Sequence, residues 1–509
     1  MARIPFPIYF GGGLNDTASD FDIGDTQASD LLNCHFDEVN TLVKRDGSTL
    51  YGNDVGSLLP LGLGKYIYVA GASITRSVYV VLNGAVNGDV YLYVAGTWTA
   101  QGRTLTNNTN FQLVQANNEL YTFNGTDAVQ NLSNTTWSSL ASGVPLSGAN
   151  TVGYYARYHN NMMFVARTNN NPSRVYVSAL GDPENFTGGY TVDINIGDGD
   201  PITGIEIIGN YIAVFKPSYI ALISGYSPDD LSVIEKSTDH GAISTRSIVL
   251  CNGVILFQDR DGHIYSFDTA SVVQQSGLIN TTIEGLNTTY YEDSAGVYFQ
   301  NKYHLAVADG SSTKNNKVLV LDLLRSSLYD PNQKVWAVYD GIQASDWLVA
   351  RPSGNKDKLY FCESAADSKV YEMYSGTSDN GVAINFYYTT KNFSVEDNQR
   401  DKKLKYLYVN AEAVGDWNLT VSYSIDGSTS FANLGTISLA AGGWVLGTSA
   451  LPVTLSEGFL GIDNTLVIPA AGRYVRFKFT QAGLSQTCRI YNATMYFRYG
   501  KLRKRLKTA

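Results

Sequence analysis

The chain has 509 residues, of which 44% are apolar and only 16% are charged, and its formal net charge is −9. This length exceeds one ordinary domain, so a main domain and at least one further module are expected. The acidic balance argues against a protein that reads nucleic-acid sequence, because such proteins usually carry a large basic face. No uninterrupted apolar run is long enough to span a bilayer, so no membrane span is expected.

Cysteine usage and the first residues bear on the compartment. Met1–Pro7 lacks the long apolar stretch of a secretory signal peptide. The cysteines are far apart in sequence and form no CxxC pair, so we expect buried free thiols in a reducing compartment. They are Cys34, Cys251, Cys362 and Cys488.

Residues 1–60 do not share the pattern of the following segment and are predicted to form an extended N-terminal arm. Within the arm, Ala28–Leu32 is predicted as one short helical turn. Thr41–Lys44 is predicted as a strand that enters a tight turn at Asp46-Gly47.

A short apolar phrase followed by a polar turn recurs along residues 61–384. Its spacing of roughly 40–50 residues is what four short antiparallel strands and their turns require. Residues 61–384 are therefore predicted to form a β-propeller of six or seven blades. The copies are Glu119–Phe123, Met162–Ala166, Tyr211–Phe215, Val254–Phe257, Tyr303–Val307 and Lys358–Phe361, with an earlier one at Lys65–Val69.

A propeller must join its two ends to avoid an open sheet edge. We therefore predict that a strand from residues 36–70 pairs with the final blade near Leu359–Tyr374. This strand would make the end of the N-terminal arm a closing element of the propeller.

The pattern changes after residue 384. Longer strands with alternating apolar residues, such as Trp417–Gly427 and Arg489–Phe497, predict a β-sandwich over residues 385–500. The last nine residues, 501–509, form a basic tail. The tail is a candidate for gripping DNA phosphates or an acidic neighbouring protein, and a solvated chain end is an equally good interpretation. Its candidate docking residues are Lys501, Arg503, Lys504, Arg505 and Lys507.

The sequence offers no arrangement that carries catalysis. The five histidines are isolated, and a lone histidine on a strand is usually a structural residue. The most site-like stretch, Asp193–Asp200, resembles a calcium loop, but Gly197 and Asp198 stand where such a loop needs the reverse order. We interpret it as a turn between blades. The sequence thus predicts no enzyme activity, no catalytic residue, no cofactor and no metal.

Three phrases resemble a family of phage proteins. Asn33 followed by Val43–Gly47 resembles the N-terminal signature of tail-tube proteins of short-tailed phages, with Asp46 where the family has proline. Arg174–Ser178 with Gly181–Phe186, and Asp198–Gly204, resemble phrases of the same proteins. The order of arm, propeller and sandwich is similar to that of the packaged-DNA stabilisation protein, or tail nozzle.

This resemblance implies a structural virion protein. Its subunits would form a homo-hexameric ring below the portal and adaptor proteins, extending the channel that retains packaged double-stranded DNA without reading its sequence. Further partners would be tail fibre, spike or needle proteins. The protein would be made and assembled in the bacterial host cytoplasm and would reside in the virion tail.

Two other functions fit the same residues. An aromatic content of 12%, together with a propeller and a sandwich, also fits a carbohydrate-binding or glycan-active tail protein, since sugars stack on exposed aromatic rings. A scaffold propeller of the host type is a further alternative, although the blades lack its WD dipeptide.

Overall fold

The computed structural model describes residues 3–37, 39–140, 152–187, 189–352, 354, 356–364, 367–395, 400–440 and 464–502. Over these residues the chain is almost entirely β-structure. The helical segments are short: the α-helix Asn280–Glu284 and the 3-10 turns Pro228–Asp230, Thr245–Ser247 and Thr288–Asp293. The all-β class expected from the sequence is confirmed.

Seven four-stranded antiparallel sheets form the propeller within the described residues. The strands of blades 1 to 3 are Pro60–Ala70, Ser73–Leu82, Asp89–Val94 and Thr97–Ala100; Gln112–Ala116, Glu119–Phe123, Gln130–Ser133 and Thr136–Ser139; and Tyr155–His159, Met162–Ala166, Arg174–Val177 and Tyr190–Asp193. Those of blades 4 and 5 are Gly204–Ile208, Tyr211–Lys216, Tyr219–Ser224 and Ser232–Ser237; and Val249–Cys251, Val254–Gln258, Ile264–Phe267 and Val272–Gln274.

The last two blades complete the ring. Blade 6 contains Ala295–Phe299, Lys302–Val307, Lys317–Asp322 and Trp336–Asp340. Blade 7 contains Ala344–Ala350, Lys358–Glu363, Val370–Met373 and, from before blade 1, Ser48–Leu50. The first strands of successive blades contact one another, and that of blade 7 contacts that of blade 1. The blade count that the sequence left at six or seven is therefore seven.

The recurring phrase is the second strand of blades 2 to 7. Met162–Ala166 and Val254–Gln258 are buried at every position, because this strand lies between two others in its sheet and under a neighbouring blade on each face. Such a strand is continuously apolar instead of alternating. In blade 1 the expected copy at Lys65–Val69 is part of the first strand, and Ser73–Leu82 is the second.

The sandwich consists of two sheets, and both ends of the chain contribute to it. One sheet has the order Cys34–Phe36, Leu42–Lys44, Arg489–Leu502, Arg400–Ala411 and Asn464–Val467. Ile4–Ile8 also pairs with Arg489–Leu502, and Ala471–Gly472 pairs with Arg400–Ala411. The other sheet has the order Ala28–Leu32, Phe386–Thr390, Val475–Gln481, Asn418–Ile425 and Ala432–Ser438. The N-terminal arm thus supplies four strands to this module.

The prediction of a helical turn at Ala28–Leu32 is wrong, because this segment is a strand paired with Phe386–Thr390. A β-bulge between Ala28 and Asp30 explains the misleading pattern. The extra residue shifts the alternation, so Ala28 and Leu31 both lie in the core although they are three positions apart. Three is also the spacing of neighbours on one face of a helix.

The hydrophobic core is continuous between the sandwich and blades 5 to 7. One cluster includes Phe10 of the arm, Trp336 of blade 6 and Phe477 of the sandwich. Blades 2, 3 and 4 are packed by separate clusters that lie between neighbouring blades. Among the described residues, the sandwich therefore shares its core with blades 5 to 7, and the clusters of blades 2, 3 and 4 contain no sandwich residue.

Candidate functional sites at the closing joint and the central channel

The propeller is closed by a strand from the N-terminal segment. Ser48 pairs with Met373 and Leu50 with Tyr371, on the outer edge of blade 7. This is the pairing that the closure argument predicts. Just before this strand the chain leaves the sandwich at Lys44, so the three intervening residues connect the two modules.

Arg45 is the centre of this connection, and its side chain is fully buried. Its Nη1 and Nη2 donate to the two carboxylate oxygens of Asp379 at 2.9 and 2.5 Å. The backbone oxygens of Asp340 and Asp46 accept two more hydrogen bonds, and Asn33 Oδ1 accepts one from Nε at 2.8 Å. All five guanidinium donors are thus satisfied, as a buried charge requires.

Asn33 links the same residues from the sandwich side. Its backbone has a φ of 54°, a left-handed conformation that asparagine tolerates better than most residues. Its side-chain amide donates to Asp340 Oδ1 and, at 2.7 Å, to the Asn385 oxygen. We call Asn33, Arg45, Asp340 and Asp379 the closing joint.

Gly47 follows directly, and the chain there approaches another segment closely. A Cβ atom at this position would lie 2.0 Å from the backbone oxygen of Ser378. Glycine is therefore required where residues 46–48 pass the segment that leaves blade 7. Lys44, on the other side of Arg45, is fully buried, and this burial lowers the pKa of its ammonium to about 8.

Sequence reasoning singled out Asn33 and Arg45 only through the family resemblance, and it missed Asp340 and Asp379. These partners lie about 300 residues away along the chain, so no local pattern marks them. The structure places the first phrase of the resemblance, Asn33 with Arg45–Gly47, at the joint between the two modules.

The central channel of the propeller contains a cavity of about 430 Å³, a size typical of small-ligand pockets. Ion pairs cross it. Arg157 contacts Glu206 at 2.7 Å, and Arg246 lies 3.8 Å from Asp346. Arg246 also donates to the backbone oxygens of Ser345 and Leu61, at 2.9 and 2.5 Å, and so links blade 5 to blades 7 and 1. Side chains therefore bridge the central channel of this propeller.

The Asp193–Asp200 loop lies between blades 3 and 4, and a lysine side chain occupies its centre. The buried ammonium of Lys216 donates to both carboxylate oxygens of Asp198 at 2.8 Å. It also donates to Ser173 Oγ and to the backbone oxygen of Asn195, both at 3.0 Å. The positive charge that a cation would supply to these oxygen atoms comes from the protein itself.

The Gly181–Phe186 phrase is a loop between the third and fourth strands of blade 3, and it contacts blade 2. Glu184 of this turn accepts a hydrogen bond from the Asn131 side chain, and the Tyr121 hydroxyl lies 3.0 Å from the same carboxylate oxygen. Phe186 packs on the cluster between the two blades. A loop of one blade is thus fixed to the strands of the next.

The remaining predicted site residues lie at the C-terminus. Lys501 belongs to the last strand, Arg489–Leu502, while Arg503, Lys504, Arg505 and Lys507 lie outside the described residues. In the described part of the chain, no three His, Cys, Asp or Glu side chains are grouped as metal ligands, and no helix is long and apolar enough to cross a membrane. The four cysteines are free and buried.

Burial also changes the acidity of two histidines near the joint. His304 of blade 6 is fully buried and His35 of the sandwich is partly buried, and desolvation lowers the pKa of each to about 3. His304 Nε2 lies 2.5 Å from the hydroxyl of Tyr374, just after the last strand of blade 7. Both imidazoles are therefore neutral over the physiological range, and we interpret both histidines as structural residues.

No protein-family model and no curated protein sequence matches this chain. Among solved structures, YCF48 from Cyanidioschyzon merolae is 9% identical, with a TM-score of 0.39 over 64% of this chain and 98% of that one. YCF48 bound to D1 peptide is 11% identical, with a TM-score of 0.36 over 64% and 97%. The Neurospora crassa Pan2 WD40 domain is 8% identical, with a TM-score of 0.38 over 67% and 97%.

Proposed function

We propose that this chain is a structural virion protein, the subunit of the tail nozzle ring of a short-tailed phage. In this function it extends the DNA channel below the portal and adaptor proteins and retains the packaged genome. The observation that carries the proposal is the closing joint. The residues of the tail-tube resemblance, Asn33 and Arg45–Gly47, meet where the chain closes the propeller and connects it to the sandwich.

The joint suits a conduit that must withstand pressure from packaged DNA. A buried, fully bonded guanidinium, a closing strand and a shared core hold the two modules together. Removing one partner of such a buried ion pair is strongly destabilising. A subunit built in this way transmits load between its modules instead of hinging.

The bridged central channel supports an oligomer. Because Arg246 hydrogen bonds cross the channel of each propeller, DNA would pass through a pore formed between copies, not through one copy. The net charge of −9 fits a wall that repels the phosphate backbone, whereas dense Lys and Arg would bind it. Six copies in a ring, with portal or adaptor proteins above and tail fibre, spike or needle proteins below, complete the proposal.

Electron microscopy of the purified protein and of the phage particle tests this function. The expected result is a closed six-fold ring with an axial pore, located in the tail. A protein that remains a monomer, is missing from the tail and binds oligosaccharides would overturn the proposal in favour of a glycan-binding protein.

A second experiment tests the assignment of the basic tail. In phage carrying Arg503→Ala, Lys504→Ala and Arg505→Ala, we expect fewer assembled tails but normal DNA retention in those that form. Arg260→Ala, Lys314→Ala and Lys356→Ala, at exposed positions elsewhere, are the matched control. Normal tail numbers with leaking DNA would instead place the basic tail on the DNA path.

A further inference from the structure

Blades 3 and 4, whose core clusters contain no described residue of the sandwich, carry an exposed apolar surface. We call it the blade 3–4 rim, and it consists of Leu180, Tyr190, Tyr226, Val233 and Ile234. Their exposed fractions are 55%, 51%, 61%, 40% and 39%. Single exposed apolar residues are ordinary, but a group on adjacent elements commonly marks an interaction site.

These residues are held next to one another by the turn at Asn160 and Asn161. The Gly181 amide, next to Leu180, donates to the Asn161 oxygen at 2.8 Å. The Asn160 side chain donates to the oxygen of Gly225, next to Tyr226, at 3.3 Å. Leu180 and Tyr226 therefore flank the same turn.

The outer strands of these two blades bring the other rim residues to the same end. Tyr190 pairs with Val177, which is three residues before Leu180. Val233 pairs with Ile223, close to the loop that carries Tyr226. Among the described strands, Tyr190–Asp193 and Ser232–Ser237 each have a neighbour on one side only. Their open backbone edges can accept a further strand.

The charge around the rim is negative. Asp182, Asp229 and Glu235 are exposed there. Residues 175–200 contain no Lys or Arg, and Lys236 is the single basic residue between 217 and 239. A partner segment that pairs well with this surface would combine basic residues with apolar ones.

The basic tail has this composition. Residues 501–507 contain five basic residues and two leucines, Leu502 and Leu506. The tail begins in the β-strand Arg489–Leu502, and a basic segment that continued as a strand would suit pairing with an open strand edge.

The tail begins on the sandwich, at the end of a long strand that starts beside the joint. Ile490, at the start of the last strand, pairs with Leu42 beside the joint, and Leu502 lies 12 residues further along. At a rise of about 3.3 Å per residue this places Leu502 about 40 Å from the joint. The rim lies on blades 3 and 4, whose core is separate from the core that the sandwich shares with blades 5 to 7.

We propose that the basic tail of one subunit docks on the blade 3–4 rim of the next copy. Leu502 and Leu506 contact the exposed Leu180 and Tyr226, and the basic residues face Asp182 and Asp229. This contact joins two different surfaces, so repetition generates a ring when the rotation closes. The inference rests on the proposed function, because it specifies how copies of the chain meet.

A peptide of residues 501–509 with a fluorescent label is the first probe. The receptor is the full chain carrying Arg503→Ala, Lys504→Ala and Arg505→Ala, whose own tail lacks these three charges. Adding Asp182→Lys and Asp229→Lys to this receptor should weaken peptide binding at least tenfold. The matched control is the receptor with Asp261→Lys and Glu292→Lys, which replace exposed acidic residues on blades 5 and 6. It should bind the peptide as tightly as the receptor without these two changes.

Mixing is the second measurement. The rim-reversed chain, which carries only Asp182→Lys and Asp229→Lys, and the receptor chain with the three tail alanines are each expected to be monomeric by mass photometry. Together they should form dimers, because one intact tail meets one intact rim. This complementation also shows that both variants are folded.

The outcomes separate the inference from the proposed function. Peptide binding that the rim reversal leaves unchanged, or six-fold rings formed by the rim-reversed chain, overturns the docking site and leaves the ring itself intact. Peptide binding that depends on the rim, in a wild-type protein that forms no six-fold ring alone or on particles, supports the docking site and overturns the nozzle function.

Discussion

Blades 3 and 4 and the closing joint stabilise the same ring in different ways. Each of the two blades is one continuous stretch of chain, and its core contacts lie within that stretch or with a neighbouring blade. At the joint, Arg45 contacts Asp379 and Asn33 contacts Asp340, which are 334 and 307 residues apart. The comparison teaches that the repeat distributes stability locally, whereas the connection between modules depends on a few residues from distant parts of the chain.

The largest expected effect is at the joint. Arg45→Met leaves Asp379 without its cation and should lower the free energy of unfolding by about 3–5 kcal/mol. Calorimetry should show that the propeller and the sandwich lose stability together. Arg174→Met in blade 3 is the control, because its ion pair with Asp193 is about one-third exposed and should contribute less than about 1 kcal/mol. Equal losses for the two variants would contradict the contrast between joint and blade.

Lys216 is a buried charged residue of blades 3 and 4, where the stabilising contacts are local. Lys216→Met removes the ammonium from Asp198 and should cost about 2–4 kcal/mol, most of it recovered when Asp198→Asn is added. Hydrogen exchange should show increased opening of blades 3 and 4 with the sandwich unchanged. Increased exchange in the sandwich would show that the blade is not locally stabilised.

Acid should weaken the joint before it weakens blades 3 and 4. The pKa of His35 and of His304 is lowered from 6.5 to about 3, so the unfolded chain binds more protons between these values and stability falls as pH drops. Each histidine should contribute about 2 kcal/mol of destabilisation at pH 5. His304→Gln should make the free energy of unfolding depend less steeply on pH, by the amount that corresponds to about one fewer proton bound on unfolding. His263→Gln is the control, and an unchanged acid slope in His304→Gln would be evidence against the assignment.

The smallest expected effect is at Glu363, where stability falls as pH rises instead of as pH drops. Glu363 lines a cavity of about 320 Å³ beside Asp340 and Asp379. Desolvation, followed by the Asp367 carboxyl, raises the pKa of Glu363 from 4.5 to about 7. The folded state therefore holds this proton more tightly, and stability falls as pH rises from about 4.5 to about 7.

Glu363→Gln removes this dependence. With allowance for solvent screening of a half-buried group, the variant should be more stable than the wild type by about 1 kcal/mol at pH 8 and equal to it at pH 4. Melting curves at the two pH values provide the measurement. A difference of the same size at both would assign the effect to packing.

The features predicted from sequence are those that local physics determines. The second strands of blades 2 to 7 could be found because full burial makes them continuously apolar, and ring closure follows from the need to cover a sheet edge. The strand at Ala28–Leu32 was missed because its bulge produces a helical spacing. Asp340 and Asp379 could not be found, since their role depends on a guanidinium that only tertiary structure brings near.

Because strands from both chain ends build the sandwich, the propeller is in effect a domain inserted into one of its loops. The strands Ile4–Ile8 and Leu42–Lys44 are synthesised before the propeller, whereas their pairing partner Arg489–Leu502 is synthesised after it. The blades can therefore fold while these strands still lack that partner, and the sandwich can be completed only after the whole propeller has been made.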